Sequence, residues 1–197
     1  MATATYFGDY PLEAPPSREH LTMVFSSATV PLKERWHNNA LSADFLADYF
    51  ANFFPGNETA PTQTSFRAEI RGTISYIANE LLENGLKFNY DPNHSISIRL
   101  ELHADRLVFS LKNSINPDIV AGFQAFLAEL IDSEPLEMYI TIVEQNALED
   151  RGSSGLGFLT MLNDYGARLG WRFETFEATN PGQIPSVILT TLVQIGV

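Results

Sequence analysis

The sequence predicts a single α/β domain, and three observations carry that reading. A helical apolar stripe runs from about Ser65 to Phe88. Two runs of strictly alternating residues follow it. Two apolar, strand-like runs, "WRFETFEA" and "PSVILTTLVQI", close the chain. At 197 residues the chain is long enough to bury a proper core. With 45% hydrophobic and 18% charged residues, its composition is that of a globular protein. The absence of cysteine excludes disulfides, thiolate catalysis and zinc–sulfur sites. A net charge of −12 argues against binding nucleic acid or an anionic membrane surface, since phosphate binding needs a cationic excess. No basic start followed by an apolar run marks a secretory signal, and no apolar stretch is long enough to span a bilayer. A soluble, cytoplasmic protein is the expectation.

The elements follow in order. Residues 1–20, with "EAPPSREH", read as a loosely held N-terminal arm. "HLTMVFSSATVP" reads as a strand. "LSADFLADYFANFF" reads as a helix capped by Ser42, with Leu41, Phe45, Tyr49 and Phe53 on one stripe. "PGNETAPTQ" is a loop by composition. In the long helix, Phe66, Ile70, Ile74, Ile77, Leu81 and Phe88 share the side expected to be buried. "SISIRLEL" and "RLVFSLKN" alternate, and the short "HAD" between them predicts a hairpin. "NPDIVAGFQAFLAELI" is a helix with Asn116 as cap and Pro117 in its first turn. "MYITIV" has strand-like content. Even so, Leu136, Tyr139, Ile140, Val143 and Ala147 keep helical spacing, and Pro135 suits a helix start. "RGSSGLG" is a glycine loop feeding the helix "FLTMLNDYGARLG", which is expected to end at Gly170. Helix-dipole compensation at that end is the expected role of Arg168.

Two motifs carry chemistry. In "NELLENGLKF", Glu80 and Asn84 lie one turn apart and border the apolar stripe of Ile70, Ile74, Ile77 and Leu81. A carboxylate there is costly unless paired, which fits the wall of a site. An amide oxygen suits Mg²⁺, and a carboxylate can take a proton from a hydroxyl. A solvated helix edge is the plainer reading of the same spacing. In "RGSSGLGF", three glycines and two serines precede a helix, an arrangement that lets backbone N–H groups converge on an anion. It lacks the Lys and Ser/Thr ending of a P-loop. The four histidines, His20, His37, His94 and His103, have no metal-ligand spacing.

Taken together and in order, "NELLENGLKF" resembles the N box, and "SSGLGF" the second glycine box, of the GHKL superfamily of ATPases and kinases. That superfamily includes gyrase, histidine kinases and the anti-sigma serine kinases. The resemblance spans about Ser65 to the C-terminus and implies the Bergerat fold. This is a two-layer α/β sandwich with helices on one face of a mixed, mainly antiparallel sheet, here one domain over 1–197. It is most similar to the anti-sigma branch, whose members phosphorylate a serine or threonine of a small antagonist protein in partner-switching pathways. The resemblance implies Glu80 as general base and Asn84 as Mg²⁺ ligand, with Lys87 beside the phosphates. Gly152, Ser153, Ser154, Gly155, Leu156 and Gly157 would wrap the phosphates of ATP or ADP. Lys87 also reads as a solvated helix end, and Leu156 as a core anchor.

One departure stands out. The family's first glycine box carries an Asp-x-Gly-x-Gly pattern whose aspartate holds the adenine amino group. Here "SLKNSINPDIVAGF" occupies that place, with Asn113 where the aspartate is expected and no glycines around it. An amide offers both donor and acceptor and selects a purine less sharply. Three function classes follow. The first is an ATP-dependent serine/threonine kinase acting on a small antagonist-type signalling protein. The second is a nucleotide-binding switch, or one holding an adenine-bearing flavin (FAD). The third is a non-catalytic interaction module. The N-terminal strand and aromatic helix also suggest a homodimer.

Overall fold

A computed structural model describes residues 2–11, 17–26, 38–55, 61–149, 156–176 and 186–197. Its described strands are β1 (Ala2–Gly8), β2 (Glu19–Phe25), β3 (Ile96–Leu102), β4 (Arg106–Ile115), β5 (Arg168–Phe176) and β6 (Ser186–Gly196). Its helices are α1 (Asn39–Ala51), α2 (Pro61–Phe88), α3 (Pro117–Asp132), α4 (Pro135–Glu149) and α5 (Leu156–Tyr165). The strands form one sheet in the order β1-β5-β6-β4-β3-β2. Every ladder between them is antiparallel, so the described sheet carries no parallel pair.

Alternation fixes the two faces of this sheet. Ile98, Leu100, Phe109, Leu111, Leu189, Val193, Trp171 and Phe173 point to one side and are buried. The helices cover that side. On α2, Gly85 sits so close to the sheet that a Cβ there would stand 3.0 Å from Leu111. Phe123 of α3 meets Phe173 edge-on with ring centres 6.0 Å apart. Phe158 of α5 meets Trp171 at 5.4 Å. α1 packs on α2, and α4 on α5. The result is a two-layer α/β sandwich. None of the described helices is long and apolar enough to cross a membrane.

The hairpin, the long helix and the closing strands form as their patterns predict. Asn116 caps α3 by accepting from the Asp118 N–H at 3.0 Å, and α4 is helical despite "MYITIV".

Several expectations are corrected. Residues 2–8 are not a loose arm but an edge strand on β5, from Ala2↔Phe176 to Gly8↔Gly170. Ser42 does not cap α1, because the helix starts at Asn39. The Ser42 hydroxyl instead donates back to the Asn38 carbonyl at 2.9 Å. The stripe of Leu41, Phe45, Tyr49 and Phe53 faces outward, while Ala43, Leu46, Ala47 and Phe50 are fully buried. The buried side of α1 therefore mixes small and large residues, Ala43 and Ala47 with Leu46 and Phe50. Phe66 and Phe88, at the ends of the α2 stripe, are likewise exposed. α5 ends at Tyr165 rather than Gly170. Gly166 takes a left-handed φ of 58°, which breaks the helix and starts β5 at Arg168. Arg168 is therefore a strand residue and not a helix-terminal one.

Candidate functional site

α2 sets Glu80, Asn84 and Lys87 along one line. Ile77 and Leu81 border this line, and Leu82 and Leu86 anchor the far side of the helix, all four buried. Glu80 and Asn84 are half-buried, and Lys87 is exposed. α5 runs antiparallel to this line. Near its C-terminus, Tyr165 stacks on Tyr76 with ring centres 5.1 Å apart. One turn back, Thr160 hydrogen-bonds the Tyr76 hydroxyl. At its first turn, Gly157 lies under the Glu80 carboxylate, and a Cβ at that position would collide with Oε2. The two sequence motifs, 70-odd residues apart in the chain, thus meet side chain to backbone.

A Cβ at 157 would displace the Glu80 carboxylate from this position. The contact places Glu80 at the positive end of a ten-residue helix, where N–H groups have no intrahelical partner. Burial pushes the Glu80 carboxyl above its ordinary value, and the neighbouring Glu83 carboxylate adds to the shift. A carboxylate so raised is a stronger base than a solvated one. Burial also raises Tyr76, with the Thr160 hydrogen bond opposing it.

Asn113 is 2% exposed and lies on the helix-facing side of β4, two residues beyond Leu111. Its Nδ2 donates to the Ser114 carbonyl at 2.9 Å. Ser114 in turn latches the end of α2 to the end of β4. Its hydroxyl donates to Asn89 Oδ1 at 2.8 Å and accepts from the Asp91 N–H at 2.8 Å. The latch fixes the strand end carrying Asn113 against the helix end following Asn84. Lys87 Nζ stands 5.2 Å over the Phe88 ring.

Leu156 and Gly157 form the first turn of α5 and are not part of a preceding loop, and Leu156 is half-buried. Gly152, Ser153, Ser154 and Gly155 lie outside the described residues. Sequence reasoning missed Tyr76, Thr160 and Tyr165. Tyr76 was findable, because it stands one turn before Glu80 on the same line. Its two partners on α5 were not, since nothing local sets the direction of α5 against α2. Among the described residues, no group of three or more His, Asp or Glu side chains forms a metal cage.

The fold and site belong to a class, the two-layer α/β sandwich with one helical layer on an antiparallel sheet. No family model and no curated protein matches the sequence. Among solved structures, one chain of the SiaB–SiaC complex from Pseudomonas aeruginosa is similar, with a TM-score of 0.52. The match covers 90% of this chain and 89% of that chain at 12% identity. At that identity the likeness concerns the fold alone.

Proposed function

We propose that this chain is a nucleotide-binding regulator of the GHKL type that controls a protein partner in a partner-switching pathway, by phosphorylating a serine or threonine on it. The observation that carries the reading is the seating of Glu80 over Gly157, which joins the N-box-like and glycine-box-like motifs into one site. Support comes also from the fold, which is similar to that of a chain crystallised in a protein–protein complex.

In this reading the phosphates lie at the first turn of α5, where free N–H groups favour an anion. The lack of a Cβ at Gly157 leaves room for the Glu80 carboxylate there. The donors present fit Mg²⁺, which prefers hard oxygens and keeps several waters, so one amide oxygen from Asn84 with the nucleotide's own phosphates suffices. When bound, Mg²⁺ supplies neutralisation of the phosphate charge. Glu80 takes the proton of the attacking hydroxyl as its oxygen bonds the terminal phosphorus. The bond to the bridging oxygen breaks, and the nucleoside diphosphate leaves. Asn113, buried at the neighbouring strand end, is the residue assigned to the base edge.

Titration calorimetry with Mg-ATP tests this. Wild type and Glu80→Gln are expected to bind alike, whereas Asn84→Ala binds about tenfold more weakly in Mg²⁺ and unchanged in EDTA. Absence of binding, or binding indifferent to both Mg²⁺ and Asn84, refutes it. A flavin mass released from the purified protein would replace the nucleotide by a dinucleotide cofactor.

A further inference from the structure

The sheet face turned away from the helices carries an unexpected charge pattern. By register, Arg99, Arg106, Lys112, Arg168 and Arg172 all point to this side. They are five of the twelve Lys and Arg residues in a chain of net charge −12. Spread over three strands, they are collected only by the ladders.

The chain segment after β1 builds a wall on this face. Gly8, with φ 61°, turns the chain over the sheet. The Asp9 N–H donates to the Leu169 carbonyl at 2.8 Å, and Gln194 Nε2 donates to the Asp9 carbonyl at 3.1 Å. A Cβ on Gly170 would stand 2.8 Å from the backbone of Asp9 and Tyr10, so only glycine lets this crossing lie flat. Tyr6 and Tyr10, ring centres 5.4 Å apart, then face Arg106 and His103 across a cleft of about 270 Å³. Leu192 and Gln194 also line it.

Both Arg106 and Arg172 line this cleft, and in both the Nε–H is buried without a hydrogen-bond partner. Each guanidinium has a neighbour at its other end. Arg106 Nη1 lies 3.3 Å from Asp105, and Arg172 pairs with Glu174 and bonds Tyr10. The acid within the cleft, Glu101, is taken up by Arg99, His103 and the Ser17 N–H. Two guanidinium groups therefore border one cleft, and the buried Nε–H of each lacks a partner. Buried unpaired donors are costly, and a guanidinium edge matches an oxyanion with two parallel bonds.

We infer that this cleft is a second ligand site, remote from α5, that takes a small-molecule oxyanion, a carboxylate or a phosphate, between Arg106 and Arg172. The site does not depend on the nucleotide reading. The test is thermal unfolding with inorganic phosphate, and separately with succinate, against chloride at matched ionic strength. At least one of the two anions is expected to raise the midpoint, and the one with the higher affinity names the class. Arg106→Gln and Arg172→Gln each weaken that anion about tenfold or more, Arg172→Lys less so. No shift with either anion in wild type overturns the proposal, as does a shift that survives both glutamine variants, which would place the anion elsewhere, the first turn of α5 included.

Discussion

Glu80 and Glu101 are both half-buried carboxylates, one under the helical layer and one on the bare face of the sheet, and their surroundings drive them in opposite directions. Around Glu80, burial and the like charge of Glu83 raise the carboxyl. Burial would raise Glu101 too, but hydrogen bonds from Arg99, Ser17 and His103 outweigh it and hold that carboxyl below its ordinary value. The helix-covered face is built from apolar packing, and no described group offsets the burial of Glu80 there. The other face sets its charged side chains beside the buried Ile188 and Leu192, and Glu101 there is held by Arg99, His103 and the Ser17 N–H. A carboxylate without partners is available for proton transfer, whereas one held by three donors serves structure.

The largest expected break between the two faces is in packing. Phe109 and Val108 are neighbours on β4, but Phe109 is fully buried under the helices and Val108 lines the cleft opposite. Phe109→Ala should cost about 3–5 kcal/mol in urea unfolding, against less than about 1 kcal/mol for Val108→Ala. Equal losses would mean that the bare face is packed as a second core.

A smaller effect sharpens the electrostatic contrast. Glu80, raised in the folded state, contributes stability below its ordinary value of 4.5 and loses it as pH rises through the folded value. Glu101, depressed, contributes stability above 4.5 and loses it as pH falls through the folded value. Measured from about pH 4 to about pH 8, Glu80→Gln should gain on wild type as pH rises, and Glu101→Gln should lose ground. Parallel curves for the two variants would erase the distinction.

The smallest expected change in stability is at Gly157. Alanine is favoured over glycine in a helix by about 1 kcal/mol, and the group it meets is the movable end of Glu80. Gly157→Ala should therefore unfold within about 1 kcal/mol of wild type. With its carboxylate swung outward, Glu80 should lose most of its pH-dependent contribution, so the variant's pH profile should approach that of Glu80→Gln. An unaltered profile would show that Glu80 does not need the space over α5.

Much of this was legible in sequence. The 3.6-residue stripe of α2, the alternation of β3 and β4 and the Asn116–Pro117 helix start are local signals, and each formed where it was read. The position of Glu80 and Asn84 beside the stripe was legible for the same reason. What failed was non-local. "ATATYFG" offers no large apolar alternation, and its strand exists because β5 supplies the partner. The outward turn of Phe45, Tyr49 and Phe53 depends on which side of α1 meets the core, and the side that does carries Ala43, Leu46, Ala47 and Phe50. Positions 106 and 172 become one cleft only through the register of three strands.

The strand order has a consequence for synthesis. β1 and β2 are made first, yet they occupy the two outer edges of the sheet, and Gly8 finds its partner only at Gly170. On the ribosome both must wait for interior strands that emerge much later, and contacts so distant in sequence close slowly. The same two strands then pair with the outer sides of β5 and β3, so of the described strands the first two translated complete the sheet last.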